Sequence, residues 1–240
     1  MFIHQGKKRT AKHNIQIASL LSFVAGIVNV AGFLAVAKLT TNVTGHFAFF
    51  VDEVFKLNFW QGIVYFVYIF CFFLGSFMSS FLVEILSRRN DNYVYIIPTS
   101  IESLILLLIA CFGKNLVIQN PDLIACSLLF AMGLQNSLVT RISNATVRTT
   151  HLTGLFTDLG IELSQLFFYR EATARYNLFS SVKLRLTIIS FFFIGGIVGG
   201  IFYSEIGLKV LLIGSCALIL GIIHDNIKLK VRLLHRKYRH

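Results

Sequence analysis

Six stretches of this 240-residue chain, at about 15–37, 60–85, 94–112, 122–139, 186–203 and 207–223, are apolar over a length that leaves little choice of solvent. A helix crossing a bilayer needs about 20 mainly apolar residues, because its backbone polar groups must be satisfied internally across roughly 30 Å of hydrocarbon. Composition agrees: 55% of residues are hydrophobic, Phe occurs 24 times and only 14% are charged, outside the range of soluble domains. The expectation is an all-α polytopic membrane protein with six transmembrane helices. Two prolines and the absence of a linker-like tract leave residues 1–240 as a single membrane domain. The last two segments are short and read as a helical hairpin turning at Tyr203–Ile206.

The charges test the assignment independently. On an even-odd count, one side of the membrane receives the N-terminus, Arg88 and Arg89, the region 140–185 and the C-terminal tail at 224–240. Of the 22 Lys and Arg residues, only Lys38, Lys56, Lys114 and Lys209 fall on the other side. The positive-inside rule then puts both termini in the cytoplasm. Topology thus accounts for the net charge of +11 without nucleic acid as a partner, and the basic tail is suited to anionic lipid headgroups. The first apolar run follows KKR and ends in AVA at 35–37, like a signal peptide, but it is too long for a usual signal core and reads as helix 1.

A repeat runs through the chain. TTNVTGHFAFF at 40–50 recurs as TTHLTGLFTDL at 149–159, GIVN at 26–29 as GLQN at 133–136, and IFCFFLGSFMSSF at 69–81 as ISFFFIGGIVGGI at 189–201. Asn29 pairs with Asn136, Gly75 with Gly195 and Ser79 with Gly199, while the third helices align poorly. Repeat A covers about 15–112 and repeat B about 122–223. Three spans per repeat reverse the direction of the second, giving inverted repeats, an architecture found in secondary transporters and some channels. The Gly75/Ser79 and Gly195/Gly199 pairs read as sites of close helix packing.

Each threonine–glycine cluster is followed by only about ten residues of mixed apolar character before acidic groups appear, enough for a helix of about half the bilayer. Each is expected to be a short re-entrant or interrupted half-helix, N-capped by Thr44 or Thr153 with Gly45 or Gly154 just inside. A helix N-terminus within protein offers free N–H groups and the positive end of a dipole, suited to an anion or polar acceptor. The candidate binding residues are Asn29, Thr40, Thr41, Asn42, Thr44, Gly45, His46, Gln135, Asn136, Thr149, Thr150, His151, Thr153 and Gly154. The alternative is that the threonines only satisfy two helix breaks at membrane depth. Arg148 and His151 make the second copy more positive than the first.

Glu102, four residues after Pro98 and inside a span, is either a proton-coupling carboxylate or the partner of Arg88 or Arg89. Asp158 and Glu162 share one helical face and are the other coupling candidates. His151 stands seven residues before Asp158, yet no metal-ligand spacing supports a metal site and none is assigned. Cys71, Cys111, Cys126 and Cys216 lie singly within spans and read as small packing residues. No catalytic or nucleotide-binding pattern is visible, so neither enzyme activity nor a cofactor is expected.

The runs SLLSFVAGIVNVAGF, TTNV followed by TGH, AMGLQNSLV and TTHLTGLFTDLG resemble the YoaK-like family of bacterial six-helix inner-membrane proteins, over about residues 15–223. The resemblance implies a multi-pass protein of the bacterial plasma membrane without a settled activity. Family members usually carry aspartate at the position of Asn29 and TGN at Thr44–His46; the first departure speaks against proton or cation coupling at Asn29. The leading expectation is a secondary transporter or channel-like permease holding a small polar or anionic solute between the two half-helix N-termini. The alternative is a membrane structural or assembly protein with a basic cytoplasmic face. Homo-oligomerisation stays open under both.

Overall fold

The computed structural model describes residues 10–88, 94–143 and 145–237, with side chains described as far as residue 227. Arg89, the basic residues 7–9 and the side chains of the C-terminal tail lie outside that description. The chain is all-helical: α1 (Ala11–Val36), α2 (Val43–Phe55), α3 (Phe59–Arg88), α4 (Ile96–Gln119), α5 (Pro121–Ile142), α6 (Leu152–Phe168), α7 (Ala172–Ile206), a 3-10 turn (Gly207–Val210) and α8 (Leu211–Lys237). Among the described residues five segments are long and apolar enough to cross a membrane: α1, α3, α4, α5 and a fifth covering Ala172–Ile227. Such a set of apolar helices makes this a membrane protein.

The fifth segment is two helices. Gly207 at φ 59° breaks the chain, a backbone conformation that glycine adopts without the Cβ penalty. Residues 203–206, expected to be the turn, complete α7, and the turn comes at Gly207–Val210. Nor do the last two helices form the expected hairpin: α8 packs against α4 and α1 instead of along α7. Elsewhere proline sets the boundary. Asn120 ends α4 and Pro121 opens α5 at N1, where its missing N–H costs nothing.

The closest packing joins α1 to α7 and α3 to α5, and glycine makes both approaches feasible. A Cβ on Gly26 would lie 2.1 Å from the Phe192 carbonyl oxygen, and one on Gly195 would lie 2.0 Å from that of Phe23. In the other pair, a Cβ on Gly75 would lie 2.1 Å from the Phe130 oxygen and one on Gly133 would lie 2.2 Å from that of Phe72. Backbone meets backbone at these four points, the packing that small residues permit between membrane helices. Residue numbers rise together along both pairs, so α1 runs parallel to α7 and α3 parallel to α5. By contrast α4 and α8 run antiparallel, since Gly113 meets Leu208 and Leu106 meets Gly214. Cys71 and Cys126 are half-buried between helices, whereas Cys111 and Cys216 are exposed and pack into no core.

Candidate functional site

After Val36 the chain does not leave the helical bundle. Ala37 takes a left-handed conformation at φ 53° and caps α1 with its N–H on the Phe33 carbonyl. The following residues fold back along α1. Thr40 Oγ1 donates to the Val28 carbonyl at 3.1 Å, and Thr41 Oγ1 donates to Asn29 Oδ1 at 2.6 Å. Val28 precedes Val36 by eight residues, so the fold-back descends about 12 Å along the helix. From that depth α2 returns, antiparallel on α3: the His46 ring is 5.1 Å from Tyr68, Phe49 is 5.3 Å from Tyr65 and Phe50 is 6.1 Å from Phe66.

The second motif repeats the arrangement on α5. Asn136 Nδ2 donates to Thr150 Oγ1 at 2.7 Å, and the Thr149 hydroxyl receives Gln135 Nε2 at 2.9 Å. Gln135 Nε2 also reaches the Leu21 carbonyl of α1 at 3.0 Å, which ties this cluster to the helix carrying the first. Leu21 and Asn29 are eight residues apart on α1, so the two clusters are staggered by about 12 Å along it. Among the motif residues, Thr40, Thr41, His46, Gln135 and Thr149 are buried, while Asn42, Thr44, His151 and Thr153 are exposed.

The caps differ from expectation. Asn42, not Thr44, is the N-cap of α2, its Oδ1 accepting from Gly45 N at 3.2 Å. His151, not Thr153, precedes α6 and makes no side-chain cap. Thr40, Thr41, Thr149 and Thr150 are engaged by α1 and α5, which leaves the capping position to the next polar residue. The lengths also differ: α2 has 13 residues, but α6 has 17, about 26 Å and more than half a bilayer.

Positions matched by the repeat have opposite chemistry in the two copies. His46, Phe49, Tyr65 and Tyr68 form an aromatic cluster, joined by Lys38, whose Nζ lies 4.9 Å from the Tyr65 ring centre. His46 Nε2 is 2.6 Å from the Leu39 carbonyl, so that nitrogen carries the hydrogen and Nδ1, which has no partner, holds a lone pair. Burial holds the imidazole below its ordinary pKa against the Leu39 hydrogen bond, with the Lys38 charge adding to the lowering. Tyr68 in turn donates to Asp122 at the start of α5.

In the second copy the matched positions are Leu155, Asp158, Arg185 and Ile188, of which Asp158 and Arg185 belong to an ion network with Glu162. Arg185 grips Glu162 with Nε and Nη2, both at 2.8 Å, and Asp158 with Nη1 at 2.8 Å. Ser181 Oγ adds a bond to Glu162 at 2.6 Å. Burial opposes ionisation of Glu162, but the Arg185 and Ser181 hydrogen bonds prevail and hold its carboxyl below the usual range. Beside the network is an open cavity of about 320 Å³, lined by Arg148, His151, Gly154, Asp158, Ser181 and Arg185 among others. Gly154 makes room for the His151 ring, since a Cβ there would sit 2.4 Å from its Cδ2. Asp158 and Glu162 therefore face a cation that the sequence reading did not single out. Its signal was an arginine near the start of a long apolar run, in register with Tyr65.

Glu102 is fully buried, and neither of its carboxyl oxygens has a hydrogen-bonding partner among the described residues. Arg88 pairs with Glu84 at 3.5 Å, which removes it as the partner expected for Glu102. An unexpected pair of contacts lies next to it: Ser103 Oγ donates to the Ser215 carbonyl at 3.2 Å, and Ser215 Oγ donates to the Ser103 carbonyl at 2.9 Å.

No curated protein matches the chain, and no solved structure does. A family model described as "Protein of unknown function (DUF1275)" matches residues 17–224, the stretch that holds both asparagine–threonine clusters, Glu102 and the Arg185 network. The chain belongs to that family.

Proposed function

We propose that this protein is a permease, a secondary transporter or channel-like carrier, for a small polar or anionic solute. It has six crossings arranged as two inverted three-crossing repeats, with both termini in the cytoplasm. One observation carries the reading: the chain breaks twice inside the helical bundle, at Thr41–Asn29 and Thr150–Asn136, and each break opens a short helix. Interrupted helices are tolerated at membrane depth where they are buried in protein or line a water-filled path, and they line the sites of inverted-repeat transporters. Helix directions support the topology, because α1 parallel to α7, α3 parallel to α5 and α4 antiparallel to α8 is the pattern six alternating crossings require. The matched contacts Gly26–Phe192 and Gly133–Phe72, and Gly195–Phe23 and Gly75–Phe130, support the repeat. The cavity beside Arg148, His151 and Arg185 supports entry of a polar or anionic solute from the α6 side.

Binding to purified protein in nanodiscs, across a panel of inorganic anions and small metabolites, tests the reading. Thr44 and Thr153 are exposed in the first turns of α2 and α6, so Thr44→Val with Thr153→Val alters these openings at little cost to the fold. At least one solute is expected to bind wild type and to weaken tenfold or more in the double variant. Identical behaviour across the panel overturns the proposal.

A second reading, a membrane assembly protein, is favoured by a specific observation: the hydroxyls of Thr40, Thr41, Thr149 and Thr150 all bond within the protein. It predicts that changes at the motifs cost stability and alter no flux, and that removing the tail after Lys228 abolishes function.

A further inference from the structure

Glu102 stands where the two halves of the chain meet, one residue from the reciprocal Ser103–Ser215 bridge between α4 and α8. It is fully buried, and among the described residues both carboxyl oxygens lack partners. An ionised carboxylate there would be uncompensated in a low-dielectric interior, which is why such residues within spans mark sites of function.

Its surroundings decide which ion it takes. Hard metal cations require several oxygen ligands, six or more for calcium and magnesium. The hydroxyls on the same buried face of α4 are engaged elsewhere, Ser103 with Ser215 and Thr99 with the Tyr95 carbonyl at 2.9 Å. The described charged groups of the elements packed on α4 have their own contacts, and those of α8 lie more than two turns past Ser215. Asp122 of α5 accepts from Tyr68, Arg141 of α5 and Arg88 of α3 pair with Glu84, and His224 of α8 is 3.6 Å from Asp225. Lys209 belongs to the 3-10 turn, about seven residues of α4 beyond Leu106 by the Gly113–Leu208 contact. Other titratable groups on the described parts of these helices are Tyr65, whose hydroxyl accepts from Lys38 at 3.3 Å, the exposed Lys114 of α4 itself, and the thiols Cys71, Cys111, Cys126 and Cys216, of which Cys111 and Cys216 are exposed. Among the described residues no donor or cation reaches the carboxyl, and a proton is the one ion it can bind without further ligands.

We propose that Glu102 is a proton-binding site in the membrane interior, taking a proton in preference to a metal cation. Its use in transport rests on the permease reading and names the ion such a protein would exchange; the site itself does not depend on that reading.

Dicyclohexylcarbodiimide, an apolar reagent, tests this on the wild-type chain in lipid nanodiscs. A neutral carboxyl adds across one C=N bond, its oxygen bonding to the central carbon and its proton passing to nitrogen. Acyl migration from oxygen to nitrogen then leaves a stable N-acylurea, with no atom lost and no redox change. Peptide mass mapping is expected to find one reagent mass on Glu102. Infrared difference spectra against Glu102→Gln are expected to show the C=O stretch of a neutral acid, shifted in D2O. Sodium chloride is expected to leave the labelling rate unchanged, with choline chloride as the ionic-strength control. Absence of both the adduct and the acid stretch overturns the proposal, and so does protection by sodium. None of these readouts moves if the Thr44/Thr153 binding experiment fails, so the two failures are distinguishable.

Discussion

Replacing Gly75 by alanine adds one carbon at the tightest class of contact in the molecule, 2.1 Å from the Phe130 carbonyl oxygen. Packed helices bring carbon and carbonyl oxygen to about 3.3 Å, so α3 and α5 must part by about 1.2 Å. No rotamer change relieves this, because the colliding atoms are a Cβ and a backbone oxygen. Overpacking of a fitted interface costs about 1–3 kcal/mol, and alanine's helix preference over glycine offsets about 1 kcal/mol. The Ser76 bond to the Gly133 carbonyl, 3.1 Å, and the Arg141 bond to Ser80, 2.9 Å, span the same interface and lengthen with it. A net loss of about 2 kcal/mol is expected, or roughly 4–8 °C in Tm for a chain of this size. Gly160 is the control: a Cβ there meets nothing within 4 Å, and Gly160→Ala is expected to stabilise by up to about 1 kcal/mol. Thermal unfolding in one detergent, followed by size-exclusion chromatography, compares the two. If Gly75→Ala melts at or above wild type, or falls no further than Gly160→Ala, the backbone-contact argument is wrong.

Thr41→Val and Thr150→Val are each expected to cost about 1–2 kcal/mol in the same assay, because the Asn29 or Asn136 amide oxygen loses its threonine donor. Arg185→Gln is expected to cost about 2–3 kcal/mol by stranding Glu162, whose side chain is only 13% exposed. Arg185→Lys should recover only part of that, since an ammonium cannot reproduce the fork that holds Glu162 and Asp158 together. Acid should act through Glu162. Its folded pKa lies below its ordinary value, so the folded state binds fewer protons. The contribution is complete above the unfolded pKa of about 4.3 and is lost as pH falls through the folded value. Glu162→Gln is expected to flatten that acid limb of a Tm-against-pH curve.

How much of this was readable from residues varies with the physics that fixes each part. The cores of α1, α3 and α5 follow directly from long apolar runs. The start of α7 does not, because Arg175, Lys183 and Arg185 interrupt the hydropathy without interrupting the helix. The location of the two breaks was legible in TTNVTG and TTHLTG, but their caps were not. Each motif offers several polar residues within five positions, and only the partners on α1 and α5, such as Asn29 and Gln135, decide which of them remains for capping. Glu102 announced itself as a charge within a span, whereas its lack of any partner is a property of the packed bundle. The contrast between the His46–Tyr65–Tyr68 cluster and the Arg185 network joins residues about twenty positions apart and needs the antiparallel α2–α3 and α6–α7 packing to be seen.

The tightest helix pairs, α1 with α7 and α3 with α5, each join the first half of the chain to the second. During synthesis α1 enters the bilayer well over a hundred residues before the partner that covers Gly26 exists. Until α5 follows, Gly75 of α3 likewise presents a bare notch to lipid. Neither half can complete its own packing: the α3 face waits for α5, and the α1 face waits longer, for α7 and then α8.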